Sequence, residues 1–221
     1  MVLIAGIDEA GRGPCIGPMV ISGVSIDETK LSELSRLGVK DSKLLTAERR
    51  EELAKEIRKL ASDYKTILIE PEEIDRALMH PSMNLNKLEA VKTAEIIAFL
   101  NPAQVIIDCP QVNTKAYKFE IRNYLDSHIN PAMLAENKAD ENYVIVGAAS
   151  ILAKVTRDEM IEKIKKELGV DFGSGYSSDP KTIIFLEENW ENEQYGRIFR
   201  KSWDSFKKQQ LAKSQTKLAE W

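Results

Sequence analysis

The feature that most constrains this chain is its opening: an apolar run, Val2-Leu3-Ile4-Ala5-Gly6-Ile7, that meets two carboxylates, Asp8 and Glu9, without a break. The run is too short and its β-branched content too high for a helix, so it reads as a buried strand ending at Asp8. Burying a carboxylate at such a place costs stability unless something cationic sits beside it. Gly11-Arg12-Gly13-Pro14 then supplies a turn, and Met19 to Ile26 a second strand that returns antiparallel to the first.

The rest of the chain alternates between the two periodicities. Leu31, Leu34 and Leu37 mark a short helix stopped by Gly38, and Thr46 caps a helix with Leu53, Ile57 and Leu60 on one face. Lys65 to Ile69 is strand-like, and Pro71 with Glu72 and Glu73 opens another helix. Leu85 to Leu100 is a long helix closed by Asn101-Pro102. Val105-Ile106-Ile107 is a strand ending at Asp108. Thr114 to Leu125 is helical, Met133-Leu134-Ala135 a short strand, and Tyr143 to Leu168 mainly helix, with Ala148 and Ala149 small enough to let it approach a sheet closely. Asp179-Pro180 starts a further helix, and little strand signal follows Gly169. Strands interleaved with helices and opened by an antiparallel pair predict an α/β fold, a mixed sheet with helices on its faces, followed by a helical appendage.

Composition narrows the functional classes. The chain has 221 residues, 43% of them hydrophobic and 30% charged, and a net charge of -4. That charge argues against coating nucleic acid by bulk attraction but permits a local basic patch. Two cysteines, Cys15 and Cys109, make neither a disulfide framework nor a four-thiolate zinc site, and read as reduced thiols. No secretory signal precedes Asp8, and no apolar run approaches the ~20 residues of a membrane helix, so the cytoplasm is the expected compartment.

Asp8, Glu9, Asp108 and Asp140 stand at strand ends or, for Asp140, at a loop-to-helix junction. Any one of them alone reads as a turn residue or a cap. Together, in an open α/β sheet where ligands gather at strand ends, they would repel one another unless a divalent cation were held there. Hard carboxylate oxygens suit Mg2+ or Mn2+. His80 and His128 read as surface residues.

The run Gly6-Ile7-Asp8-Glu9-Ala10-Gly11-Arg12-Gly13-Pro14 resembles the opening signature of type 2 ribonuclease H (ribonuclease HII). Gly17-Pro18, Asp41-Ser42-Lys43, Asp108 with Val112-Asn113, Lys138-Ala139-Asp140, Ala148 to Asp158, Gly173-Ser174-Gly175-Tyr176 and Ser178-Asp179-Pro180 follow in family order. Arg200-Lys201-Ser202-Trp203 is similar to a late motif of the archaeal form.

The resemblance implies a ribonuclease H-like mixed five-stranded sheet flanked by helices, a catalytic domain over 1–168 and a helical substrate-binding appendage over 169–214. It implies an endonuclease that hydrolyses the RNA strand of RNA–DNA hybrids and cuts 5′ of single ribonucleotides in duplex DNA, leaving 3′-hydroxyl and 5′-phosphate ends. Asp8, Glu9, Asp108 and Asp140 would hold two Mg2+ or Mn2+ ions about 3.5–4 Å apart. Gly11, Arg12 and Gly13 would read the 2′-hydroxyl, Tyr176 the following deoxyribose, and Lys43 and Lys154 phosphates. Without the resemblance, Gly11 to Gly13 is a plain turn, Tyr176 a loop anchor and each lysine a solvated charge.

Cys15, Cys109 and Asn137 depart from the family pattern. The first two are positions where small or aliphatic residues are usual, which raises redox sensitivity as a question. The third is where a histidine is common, which removes any help that ring would give.

The tail, 215–221, resembles a sliding-clamp docking motif, with Gln215, Leu218 and Trp221 spaced so that one helical turn puts Leu218 and Trp221 on one side. The alternative is a frayed end whose Trp221 packs on its own protein. A monomer is expected.

Two other classes compete. Type 3 ribonuclease H shares the acids but lacks the Gly-Arg-Gly that follows Asp8-Glu9-Ala10 here, and carries an extra N-terminal domain for which Asp8 leaves no room. A catalytically silent nucleic-acid binder or clamp adaptor would not need all four acids.

Overall fold

The structure is a computed structural model that describes residues 2–39 and 45–219, with side chains described up to residue 212. Five strands form one sheet in the order β3-β2-β1-β4-β5: β1 (Leu3–Ala10), β2 (Met19–Asp27), β3 (Asp63–Ile69), β4 (Gln104–Asp108) and β5 (Ala132–Glu136). The pair β1–β2 is antiparallel, whereas β1–β4 and β4–β5 are parallel, so the sheet is mixed as expected. The helices are α1 (Leu31–Arg36), α2 (Ala47–Leu60), α3 (Pro71–Met79), α4 (Leu85–Leu100), α5 (Thr114–Tyr124), α6 (Ala139–Asn142), α7 (Val144–Leu168), α8 (Pro180–Asn189) and α9 (Asp204–Ala219).

Their ends follow local chemistry. Thr46 accepts a bond from Arg49 N at the start of α2, Asn113 from Ala116 N at α5, and Asp179 from Lys181 N at α8. Pro71 and Pro180 sit in first turns, where a missing N–H costs nothing.

The chain divides into two compact units that are not continuous in sequence. One comprises 1–10, 20–68 and 85–157; the other comprises 11–19, 69–84 and 158–221. A single cut at 168 does not describe this division. The helical unit takes in the loop after β1 and the segment containing α3, and it begins inside α7. The reason is in its core: Cys15 and Ile16 from the loop pack with Ile161, Ile164, Phe172, Leu186, Phe199 and Phe206.

In the sheet unit, one face of β1 meets α7. A Cβ on Gly6 would lie 2.4 Å from the backbone of Ile145, so only glycine permits the helix to cross there. Ile4, Val24 and Ile106 pack against Val146, Ala148, Ala149 and Leu152, and both alanines are fully buried. The opposite face is covered by α4: a Cβ on Gly23 would lie 2.3 Å from Ile96. Two buried faces explain why β1 reads as a near-continuous apolar run.

Candidate active site

The sequence places Asp8 and Glu9 after the first strand; the structure places them inside it. β1 continues to Ala10, with Asp8 opposite Ser22 and Glu9 opposite Ile21 of β2. The apolar pattern hid the strand's last turn of the ladder, because strand pairing is decided by the partner and not by polarity. In the parallel pair β1–β4 the register aligns Ile7 with Ile107. Asp8 and Asp108 are therefore the next residues on adjacent strands, and register alone brings them together.

One carboxylate oxygen from each of Asp8, Glu9 and Asp108 lies within 4.8 Å of the other two. Asp140 lies in the first turn of α6, buried, and outside that group of three. Its charge still reaches Asp8. A second tie links the same elements: Asp108 Oδ1 accepts a 2.7 Å bond from Ala139 N, the residue before Asp140.

Asp8 is only 5% exposed. Burial pushes its carboxyl up to about 7; the Lys154 ammonium and a bond from Ser150 oppose this, while the charges of Asp108 and Asp140 add to it. Asp8 Oδ1 also accepts from Glu9 N at 2.7 Å. Lys154 itself donates to Ser150 Oγ, four residues back on α7. Ser150 was missed as a site residue; the i, i+4 spacing from Lys154 was the available signal.

Three acids in one small volume, one of them buried and reluctant to ionise, form a donor set that a divalent cation fits: all oxygen, hard and anionic. Cation binding would offset the burial, and after it the repulsion from Asp108 and Asp140, that favour a proton on Asp8.

Glu9 faces a different set. Buried Glu89 of α4 and buried Cys109 and Tyr117 share its electrostatic neighbourhood. Burial, then Glu89, pushes the Tyr117 hydroxyl well above its usual range, and burial pushes the Cys109 thiol up. Cys15 is raised for the same reason. Both thiols are free and buried, so neither has the thiolate character that oxidation needs. His80 and His128 are exposed, as expected.

The remaining candidates belong to the helical unit. Gly11 has φ +77, which requires glycine, but Gly13 does not. A Cβ on Gly13 would meet only Tyr176 Cε1, at 3.8 Å, an ordinary contact. The carbonyls of this loop are taken from behind. Fully buried Arg200 donates from Nη2 to Gly11 O (2.6 Å), from Nη1 to Arg12 O (3.0 Å) and from Nε to Gly17 O (3.0 Å), and Trp203 Nε1 donates to Gly13 O (3.1 Å). These two residues of the late motif had no role assigned from sequence, since a donor to backbone carbonyls leaves no mark on local pattern. Tyr176 is 39% exposed, beside the loop. Gly175 accepts from Cys15 N and Ile16 N, which binds the Gly-Ser-Gly turn to the same structure.

Lys43 and Trp221 lie outside the described residues, as do the side chains of Gln215 and Leu218.

Against known proteins, residues 5–206 match the family described as Ribonuclease HII. Ribonuclease HII of Pyrococcus furiosus is 45% identical over 208 residues, 93% of this chain and 90% of that protein. The crystal structure of ribonuclease H2 from Pyrococcus horikoshii superposes with a TM-score of 0.85 at 42% identity, covering 96% of this chain and 98% of the other. RNase HII from Archaeoglobus fulgidus, in its complex with PCNA, superposes with a TM-score of 0.76 at 43% identity, covering 84% and 85%.

Proposed function

The chain belongs to the ribonuclease HII family, a type 2 ribonuclease H, and from that premise we propose that it hydrolyses the RNA strand of RNA–DNA hybrids and cuts 5′ of single ribonucleotides in duplex DNA, leaving 3′-hydroxyl and 5′-phosphate ends. The observation that carries this is the meeting of Asp8, Glu9 and Asp108 within 4.8 Å, with Asp8 buried. Asp8, Glu9, Asp108 and Asp140 would hold Mg2+ or Mn2+. Two such ions, when bound, supply charge neutralisation at the scissile phosphate and a more acidic water.

The chain's own residues do the rest. Asp8 and Asp108 are fixed by strand register, so their geometry is set before substrate arrives. Ser150 and Lys154 hold the inner side of Asp8, and Lys154 provides a cation for a backbone phosphate. Lys43 is proposed as a second phosphate contact. Arg200 and Trp203 occupy the carbonyls of Gly11 to Gly13, fixing the loop that reads the 2′-hydroxyl, a group that donates and accepts at once. Gly13 is glycine although the fold has room for a Cβ, which supports close approach of a ligand. Tyr176, partly exposed beside that loop, is proposed to stack on the sugar that follows. The unit containing α8 and α9 binds the substrate duplex.

The test is a duplex holding one ribonucleotide, incubated with and without Mg2+. Metal-dependent nicking 5′ of that nucleotide is expected; nicking independent of metal, or none, rejects the reading. Tail residues Gln215, Leu218 and Trp221 are proposed to dock on a sliding clamp, as the Archaeoglobus fulgidus enzyme's complex with PCNA supports by likeness. Removing 215–221 should spare nicking and abolish co-elution with the clamp. No helix among the described residues is long and apolar enough to cross a membrane. A monomeric enzyme of the cytoplasm is part of the proposal.

A further inference from the structure

Asn137 stands where the family that the sequence resembles often has a histidine, and the structure shows what the amide does. Its Nδ2 donates to two backbone carbonyls at once, Cys109 O at 2.7 Å and Gln111 O at 2.9 Å. Both belong to the loop that leaves β4 directly after Asp108. We propose that Asn137 is a positioning residue, whose two-pronged bond to that loop holds Asp108 where it can share a cation with Asp8 and Glu9. The proposal rests on the metal-site reading given above.

The loop has need of such a clasp. Val112 is 96% exposed, so no apolar side chain anchors the far end of the loop. What remains is polar. Cys109 N donates to Glu136 O (3.0 Å), Gln111 Nε2 to Asn113 O (3.0 Å), and Asn86 Nδ2 to Gln111 Oε1 (2.7 Å). Cys109 Sγ also donates to Gln111 O (3.2 Å), and the Asn137 side chain adds two bonds to the single backbone bond at Glu136 in tying the loop to the segment that leads to Asp140.

That segment grips β4 twice within three residues. The Asn137 side chain takes the carbonyls past Asp108, and Ala139 N takes the Asp108 carboxylate itself. Lys138, between them, is left-handed at φ +59, ψ +38. A non-glycine residue there costs on the order of 1 kcal/mol, and it persists where neighbouring contacts over-determine it. Here the two grips supply that determination. Side-chain bonds of this kind contribute only about 1 kcal/mol each to stability. Outer residues that orient metal ligands nonetheless shift metal affinity or activity ~10–100-fold. A positioning role therefore predicts a large effect on metal and a small one on folding.

The chemistry also says why an amide serves. A primary amide carries two hydrogens on one nitrogen and can reach two acceptors from a single point. A neutral imidazole has one N–H and can satisfy only one carbonyl.

The test uses the full-length protein and Mn2+ titration by calorimetry, without substrate, on the parent, N137A, N137H and D108N. N137A should bind Mn2+ about tenfold more weakly, with N137H between it and the parent. On a hybrid substrate N137A should lower kcat by a similar factor with KM unchanged, while the melting temperature stays within about 2 °C. Parent-like Mn2+ affinity in N137A overturns the proposal, and parent-like affinity in N137H overturns the two-donor explanation. If D108N also binds Mn2+ as the parent does, the metal-site reading itself fails. If D108N loses binding and N137A does not, only the role of Asn137 fails.

Discussion

The acid cluster and the Gly11-Arg12-Gly13 loop are built on opposite principles. The acids are held together by hydrogen-bonded strand register and α7 packing although their charges oppose it: Asp8 is raised to about 7 by burial and by its neighbours' charges. The loop is the reverse, a set of carbonyls fully engaged by one buried guanidinium and one indole N–H. One region stores repulsion that a ligand can relieve; the other is satisfied before any ligand arrives. The lesson is that the first should gain stability when a group is removed, and the second should lose it.

The largest effect separating them is on chemistry. Asp8→Asn should cut turnover by ~10³-fold or more, since several kcal/mol of charge stabilisation is lost. A gel assay on a hybrid with Mg2+ measures this, and near-normal turnover would remove Asp8 from the site.

Next in size is Arg200→Ala. It leaves three carbonyls without their donor and vacates a buried site, costing about 3–5 kcal/mol by urea unfolding. Arg200→Lys should recover little, since an ammonium cannot match the planar fork. A loss under 1 kcal/mol would mean that the loop does not depend on this clasp.

The third prediction reverses the sign. Asp8 has a raised pKa in the folded state, so its contribution is fully present below pH 4 and is lost as pH rises through about 7. Metal-free protein should therefore lose up to about 4 kcal/mol from this group between pH 4 and 8. Asp8→Asn should be the more stable protein at pH 8, the gap closing toward pH 4 and shrinking when Mg2+ is added. Equal pH–stability curves for the two proteins would show that the acids are not strained.

The smallest effect on folding is Gly13→Ala, within about 0.5 kcal/mol, because the added Cβ meets only Tyr176 at 3.8 Å. Cutting at an embedded ribonucleotide should still fall about tenfold, the equivalent of ~1.4 kcal/mol. If stability falls and cutting does not, the glycine serves the fold alone.

Much of this was legible. Thr46 and Asp179 cap the helices they open, Pro71 marks a helix start by sitting in its first turn, and Leu85 and Asn101-Pro102 bound α4 as the sequence predicts. The strand containing Asp8 and Glu9 was cut short, because a carboxylate inside a ladder looks like a strand's end when its partner strand is unseen. The discontinuous make-up of the helical unit is hidden for a related reason: Cys15 and Ile16 lie over 140 residues from Ile161 in sequence, and no local pattern announces that they share a core.

By itself the sequence determined which side chains the molecule has to spend on chemistry, and on which elements they ride, since periodicity, caps and ordered motifs are local properties. Only the tertiary structure decided that Asp8, Glu9 and Asp108 meet while Asp140 stands outside that group, that Asn137 holds the backbone after Asp108, and that Arg200 holds the carbonyls of the Gly11-Arg12-Gly13 loop in its own unit. Those facts depend on strand register and on bonds to main-chain atoms. Every residue offers the same carbonyl, so its partner cannot be read from the chain's letters.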